Sequence, residues 1–186
     1  MVDATTLEAM AANWVSPSRG LLWVSPVVLL ASVGAVQLWK HRDRRPLVVA
    51  LVANLALLTL SVSAFARWWG GHSFGSRFMT EAVPALLLLA LPAVDVLIPG
   101  GSTTVSWLGS PRRARVGVGV VIVLAIWSIG FNGLGAVSRQ TSCWYDTPVD
   151  VDVDPGRVWS ITDSQVGRSL GSLIDDGPRR MILGPC

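Results

Sequence analysis

Residues 47–66 read LVVALVANLALLTLSVSAFA, and residues 67–78 continue as RWWGGHSFGSRF. The first stretch is twenty residues without a charge, the length a helix needs to cross about 30 Å of hydrocarbon. The second gathers two arginines, a histidine, three glycines and four aromatics into twelve residues, which is dense for a connector. A guanidinium offers a planar fork of donors matched to phosphate oxygens. Glycine lets backbone approach a ligand closely, and tryptophan favours the headgroup layer. Such a loop suits holding a phosphorylated lipid or sugar at the water–lipid boundary.

Further apolar runs lie on both sides of this unit. Leu21 to Trp39 precedes it; Met79 to Ile98 and Val116 to about Val137 follow. With 51% hydrophobic residues and a mean hydropathy of +0.52, the chain exceeds what an ordinary soluble domain carries. The expected fold class is therefore an all-α integral membrane protein. It has about four transmembrane helices over residues 21–137, an extracytoplasmic segment over 1–20, and a small extracytoplasmic tail over 138–186 with minor α/β content.

Orientation follows the basic residues of the short loops. Lys40, Arg42, Arg44 and Arg45 lie between the first two runs, and Arg112, Arg113 and Arg115 precede the fourth. Both loops are expected to be cytoplasmic, which puts loop 67–78, the N-terminal segment and the tail on the outer face. Arg67 and Arg77 run against the bias. Residues 1–138 hold ten Lys+Arg against five acids and residues 139–186 five against seven, so the base belongs to membrane-flanking loops rather than to a nucleic-acid surface.

Trp23, Trp68, Trp69 and Trp127 fall near the outer boundary of this frame, and Trp39 and Trp107 near the inner one. Pro26, Pro84 and Pro92 lie within the runs and should bend their helices. Asp95 sits toward the cytoplasmic end of the third run, close enough to its end to reach water. Met1 to Gly20 has no basic stretch followed by an apolar one and is no signal peptide. The expectation for this segment is that further spans precede it, the chain being the C-terminal piece of a longer protein.

The tail changes texture, with Ser, Thr, Asp and Pro in place of apolar runs. Residues 149–154, VDVDVD, alternate with period two and predict an edge strand. Pro155-Gly156 ends it as a turn, Arg157 to Ser160 resumes a strand, and Ser164 to Leu173 predicts a short helix. The spacing of Asp150, Asp152 and Asp154 starts like a calcium loop but fails it at Pro155 and Ile161. Their Asp-x-Asp pattern is read as a solvated strand face, and no residue set is predicted to hold a metal or cofactor. Cys143 and Cys186 form no C-x-x-C pair. An oxidising compartment would permit a bond between them, and two cysteines alone fix no geometry.

Three blocks carry a family resemblance. Residues 16–26, SPSRGLLWVSP, look like a segment found before a late span in bacterial GT-C glycosyltransferases. Those are the polyprenyl-phosphate-sugar-dependent enzymes that include protein mannosyltransferase-like proteins. Trp68 to Phe78 is similar to their W-G-G-x-S-F-G-x-R-[FY] loop. Trp144 to Asp152, with Pro155, Arg157, Trp159, Ser160, Asp163 and Gln165, resembles their tail.

The resemblance implies transfer of a sugar from a polyprenyl-phosphate carrier to an acceptor at the outer face of a bacterial cell membrane. Its family places the catalytic carboxylate in a first outer loop that has no counterpart before residue 20. No catalytic residue is therefore assigned, and the N-terminal half is expected either as a preceding part of the same protein or as a partner chain. Cationic donors must stabilise a leaving phosphate. Arg77 is the first candidate, with Arg67, Arg19 and His72 behind it and Gly71 and Ser73 beside them. Glu81 would orient Arg77 if a helix begins that early. Against this stands a headgroup anchor at Arg77, and a non-catalytic membrane subunit that binds lipid or a partner protein.

Overall fold

The computed structural model describes residues 4–75, 77–97 and 111–184. The described residues form helices and turns without strands. In chain order they are α1 (Ala4–Val15), α2 (Leu21–Val24), α3 (Leu30–Trp39), α4 (Arg45–Ser63), α5 (Val83–Leu97), α6 (Pro111–Val137), α7 (Arg139–Cys143), α8 (Gln165–Asp175) and α9 (Pro178–Leu183), with short 3-10 turns between some of them.

Three helical segments, Arg42–Ser63, Arg77–Val94 and Arg115–Val137, are long and apolar enough to cross a membrane. The run expected over Leu21 to Trp39 is broken. Ser25 leaves helical geometry at φ −141°, ψ 67°, and Pro26 starts a 3-10 turn, Pro26–Leu29, that feeds α3. The apolar helix Pro26–Trp39 reaches only about 21 Å at 1.5 Å per residue, short of the roughly 30 Å of hydrocarbon.

Packing divides the molecule into two cores. Leu21, Ala31, Leu38, Val48, Leu55, Met79, Ala82, Ala85, Leu86 and Leu89 join α2 to α5. Here α3 lies along α5 with Gly34 at the contact, where a Cβ would collide with the Leu89 carbonyl. Close backbone approach at small residues is how helices associate without a hydrophobic drive between them. The second core is aromatic and polar-capped: Ala12, Trp69, Trp144, Val151 and Val158, with Trp68 and Tyr145 against it. It gathers α1, the 67–78 loop and the tail at one end of the helices.

Helix α6 stands apart from the first core. Its most apolar window is only 17% buried, and its contacts fall on α2, the Pro26–Leu29 turn, α5 and α8. Polar links to residues 23–27 fix its C-terminal half. Trp127 Nε1 donates to the Trp23 carbonyl at 2.9 Å, and Asn132 Nδ2 donates to the Val24 carbonyl at 3.2 Å. The far end of the Phe74 ring occupies the space a side chain at Gly135 would fill, and the ring pairs with Phe131 at 6.1 Å.

The tail departs from the expected α/β content. Residues 149–154 turn instead of pairing: Asp150 Oδ1 accepts the Asp152 N–H at 2.7 Å, and the Asp150 carbonyl accepts from Val153 and Asp154. A carboxylate bonding its own backbone two residues on competes with extended pairing. Val151 is fully buried while Val153 is 76% exposed, so the two do not share a strand face. Residues 155–159 form a 3-10 turn begun by Pro155 and capped by Asp154. The helix expected from Ser164 is present as α8, with the Ser164 hydroxyl accepting the Gly167 N–H at 2.9 Å. Cys143 is 2% exposed and disulfide-bonded. Cys186, Ile98 and Trp107 lie outside the described residues, as do the side chains of Asp95, Arg112 and Arg113.

Candidate functional site

The 67–78 loop is closed by its glycines. Gly70, Gly71 and Gly75 hold φ of 82°, 59° and 58°, a region side chains resist. Gly70 N–H donates to the Arg67 carbonyl at 3.0 Å and Ser73 N–H to the Gly71 carbonyl at 3.0 Å. The Ser73 hydroxyl donates back to the Gly70 carbonyl at 3.0 Å.

This folding turns carbonyls inward, and Arg19 meets them. Its Nη2 donates to the Gly71 carbonyl at 2.7 Å. Its Nη1 donates to the Ser73 carbonyl, and to Ser73 Oγ at 3.3 Å and the Gly75 carbonyl at 3.2 Å. The Ser16 turn places it: Gly20 N–H donates to the Ser16 carbonyl at 2.7 Å and Arg19 N–H to Ser16 Oγ at 3.1 Å. Arg19 is 1% exposed, with the Trp144 and Tyr145 rings 5.5 and 5.9 Å from its guanidinium.

Burial pushes the Arg19 pKa down to about 10, opposed by Tyr145 and Asp152, and it remains a cation at neutral pH. A desolvated charge is tolerated only when hydrogen-bonded, and the loop carbonyls supply those bonds. Arg19 thus clamps the loop from inside. Gln165, also 1% exposed, does the same from α8: Nε2 donates to the Ser73 carbonyl at 3.2 Å, and Oε1 accepts the Gly75 N–H at 3.1 Å.

The loop's outer side meets the aspartates of the tail. Trp69 Nε1 donates to Asp152 Oδ1 at 2.8 Å and Arg67 Nη1 lies 3.4 Å from Asp152 Oδ2. Trp69 is 9% exposed, so it anchors the second core rather than a lipid belt. His72 stacks on Tyr145 at 5.3 Å. Its Nε2 is 3.4 Å from Asp150 Oδ1 and its Nδ1 3.9 Å from Asp146 Oδ1. The Asp152 N–H, first, and His72 hold the exposed Asp150 carboxyl below the ordinary carboxylate range.

Arg77 differs from the other candidates. It opens the 3-10 turn Arg77–Ala82 and is exposed. Among the described residues it has no hydrogen-bond or ion-pair partner. Glu81 is exposed as well and does not pair with it. The turn is 3-10 rather than α, so residues three apart are eclipsed and a side chain four residues on no longer faces Arg77. The neighbouring Phe78 stacks on Phe65 at 6.1 Å, and Met79, fully buried, fixes the turn to the first core.

A second network gives the tail its shape, and the sequence assigned it no role. Arg157, 7% exposed, donates from Nε and Nη2 to Asp163 Oδ2 at 3.1 and 3.0 Å, from Nη2 to the Thr147 carbonyl at 2.6 Å, and from Nη1 to the Val149 carbonyl. Its guanidinium lies 4.7 Å from the Trp144 ring centroid. Trp144 Nε1 donates to the Asp163 carbonyl, and Arg168 Nε donates to Asp163 Oδ1 at 2.5 Å. The density of Arg, Asp and Trp in a tail with few aliphatic residues is the signal that points to such a network.

Of the six candidates, the structure brings Arg67, Gly71, His72 and Ser73 together with buried Arg19 in one clamped loop, and leaves Arg77 open at its end. No family model, curated protein or solved structure matches the chain.

Proposed function

We propose that this chain is the membrane part of a glycosyltransferase of the GT-C type that holds a polyprenyl-phosphate-linked sugar at the outer face of a bacterial cell membrane. The observation that carries the reading is the contrast at the loop. Arg19, Gln165 and Asp152 fix residues 67–75, while Arg77, exposed and without a partner among the described residues, stands at the junction with a helix long and apolar enough to cross a bilayer.

A clamped frame beside an exposed guanidinium is what phosphate capture needs. Pre-organised donors lose less entropy on binding and stabilise charge developing on a leaving phosphate without rearranging. Arg67 adds a second exposed cation, held by an ion pair to Asp152 that water weakens. The carrier's hydrocarbon chain would lie along the exposed apolar helix surfaces, with membrane lipids as the remaining neighbours. A carboxylate base for the acceptor hydroxyl is to be supplied by a further segment or an N-terminal partner chain.

The test is sugar transfer from a radiolabelled polyprenyl-phosphate sugar in membranes holding the chain with its partner sequences. Arg77→Ala should lower turnover at least about tenfold with expression unchanged. Equal turnover would remove the proposed role and leave the alternative of a non-catalytic membrane subunit.

A further inference from the structure

His72, Asp150 and Asp152 come from two segments about eighty residues apart, yet an imidazole nitrogen and two carboxylate oxygens lie within 4.8 Å of one another. We propose that these three residues form a binding site for a divalent first-row metal ion, bridging the 67–78 loop to the tail. This inference stands apart from the glycosyltransferase reading.

Each donor is held by a group that is not itself a donor. Tyr145 stacks on the His72 ring at 5.3 Å with an interplanar angle of 14°. Asp146 Oδ1 lies 3.9 Å from His72 Nδ1, on the nitrogen opposite the cluster. With a metal bound at Nε2 the ring proton sits on Nδ1, the side that faces this carboxylate. Trp69 Nε1 orients Asp152 through Oδ1, and the Asp152 N–H orients Asp150 through its Oδ1. Each carboxylate oxygen keeps a second lone pair after one hydrogen bond.

The spacing needs little change. Ligands about 2.1 Å from an octahedral ion lie about 3 Å apart when adjacent and about 4.2 Å apart when opposite. The 3.4 Å from His72 Nε2 to Asp150 Oδ1 already falls in that range, and the other separations, all within 4.8 Å, need side-chain shifts of about 0.6 Å or more to reach it.

Charge favours a cation as well. Among the described residues, Asp146, Asp150 and Asp152 outnumber the two arginines that act on them, buried Arg19 and Arg67, whose side chain is 73% exposed. An exposed ion pair of that kind is worth about 1 kcal/mol or less, so a metal displaces it readily. One imidazole among carboxylates selects a first-row ion over calcium or magnesium, and the exposed His72 side leaves positions for water.

Manganese bound to the purified full chain in detergent micelles tests this directly by electron paramagnetic resonance. One bound Mn²⁺ with a nitrogen coupling is expected, and 15N-histidine labelling should change that coupling. The chain has only two histidines, so His41→Gln should leave the signal intact and His72→Gln should abolish the nitrogen coupling. His72→Gln and Asp150→Asn should each weaken binding at least about tenfold. No bound ion at about 1 mM Mn²⁺, no nitrogen coupling in the wild type, or affinity indifferent to both variants would overturn the proposal. The wild-type coupling needs no variant to fold.

Discussion

Arg19 Nη2 donates to the Gly71 carbonyl oxygen at 2.7 Å, tying the turn after α1 to the loop after α4. One side chain thereby sets the curvature of the loop, because its other bonds go to Ser73 and Gly75. A lysine offers one nitrogen in place of a planar fork and cannot span the carbonyls that Nη1 and Nη2 reach separately. Arg19→Lys should cost about 2–3 kcal/mol, the worth of one or two charge-assisted bonds. Thermal denaturation in detergent and proteolysis within residues 70–76 would report it, with faster cleavage expected. Wild-type resistance in Arg19→Lys would mean that the glycines and Gln165 shape the loop without the fork of Arg19.

Gly34 makes a sharper test of the membrane core. A methyl group there meets the Leu89 backbone rather than a flexible side chain, so α3 and α5 must separate. Gly34→Ala should lower stability by about 1–3 kcal/mol. Gly119, with open space around its Cβ position, is the control, and Gly119→Ala should hold or raise stability through helix propensity. Equal behaviour of the two variants would contradict the α3–α5 contact.

Tyr145 is the chain's single tyrosine, so its titration is read without assignment. Burial pushes its phenol above the ordinary value, with the Arg19 charge opposing. The folded pKa lies above the unfolded one. The stability this contributes is therefore fully present below about pH 10 and lost as pH rises through the folded value. Phenolate absorbance should show a midpoint above the ordinary value in the native protein and at it in denaturant. A native midpoint at or below the ordinary value would place Tyr145 outside the second core.

Arg157 should matter to the tail as Arg19 does to the loop. Arg157→Ala leaves the Thr147 and Val149 carbonyls and one side of Asp163 without their donor. A buried acceptor stripped of its partner costs about 1–3 kcal/mol. Exposed Arg139 supplies the comparison, since Arg139→Ala should stay within about 0.5 kcal/mol. A loss at Arg157 no larger than at Arg139 would mean that the Trp144 core alone holds the tail.

Sequence patterns recovered what rests on local physics. The uncharged run of residues 47–66 corresponds largely to α4, which ends at Ser63, because a long and mostly apolar run carries few turn signals. Ser164 announced α8 by its capping chemistry. The run over 21–39 misled because hydropathy is blind to Ser25-Pro26, where the missing proline donor and the non-helical Ser25 break the span. Alternation in residues 149–154 misled because Asp150 bonds its own backbone, which period two cannot reveal.

The site was legible as a composition and hidden as a geometry. The loop between two apolar runs showed itself as rich in Arg, Gly and aromatic residues. Nothing local distinguished buried Arg19 from exposed Arg77, since loop carbonyls and rings far along the chain, those of Gly71, Ser73, Gly75, Trp144 and Tyr145, enclose the first. The pairing of His72 with Asp150 joins segments far apart in the chain, and no spacing rule reaches that distance.

The account turns on Arg77 being the open cation of a clamped loop. The most direct measurement is binding of a short-chain polyprenyl phosphate to the full chain in nanodiscs, for wild type, Arg77→Ala and Glu81→Gln. Losing a charge-assisted phosphate contact worth about 1.5–3 kcal/mol should weaken Arg77→Ala by about ten- to a hundredfold, while Glu81→Gln binds like the wild type. Equal affinity in all three proteins would contradict the account.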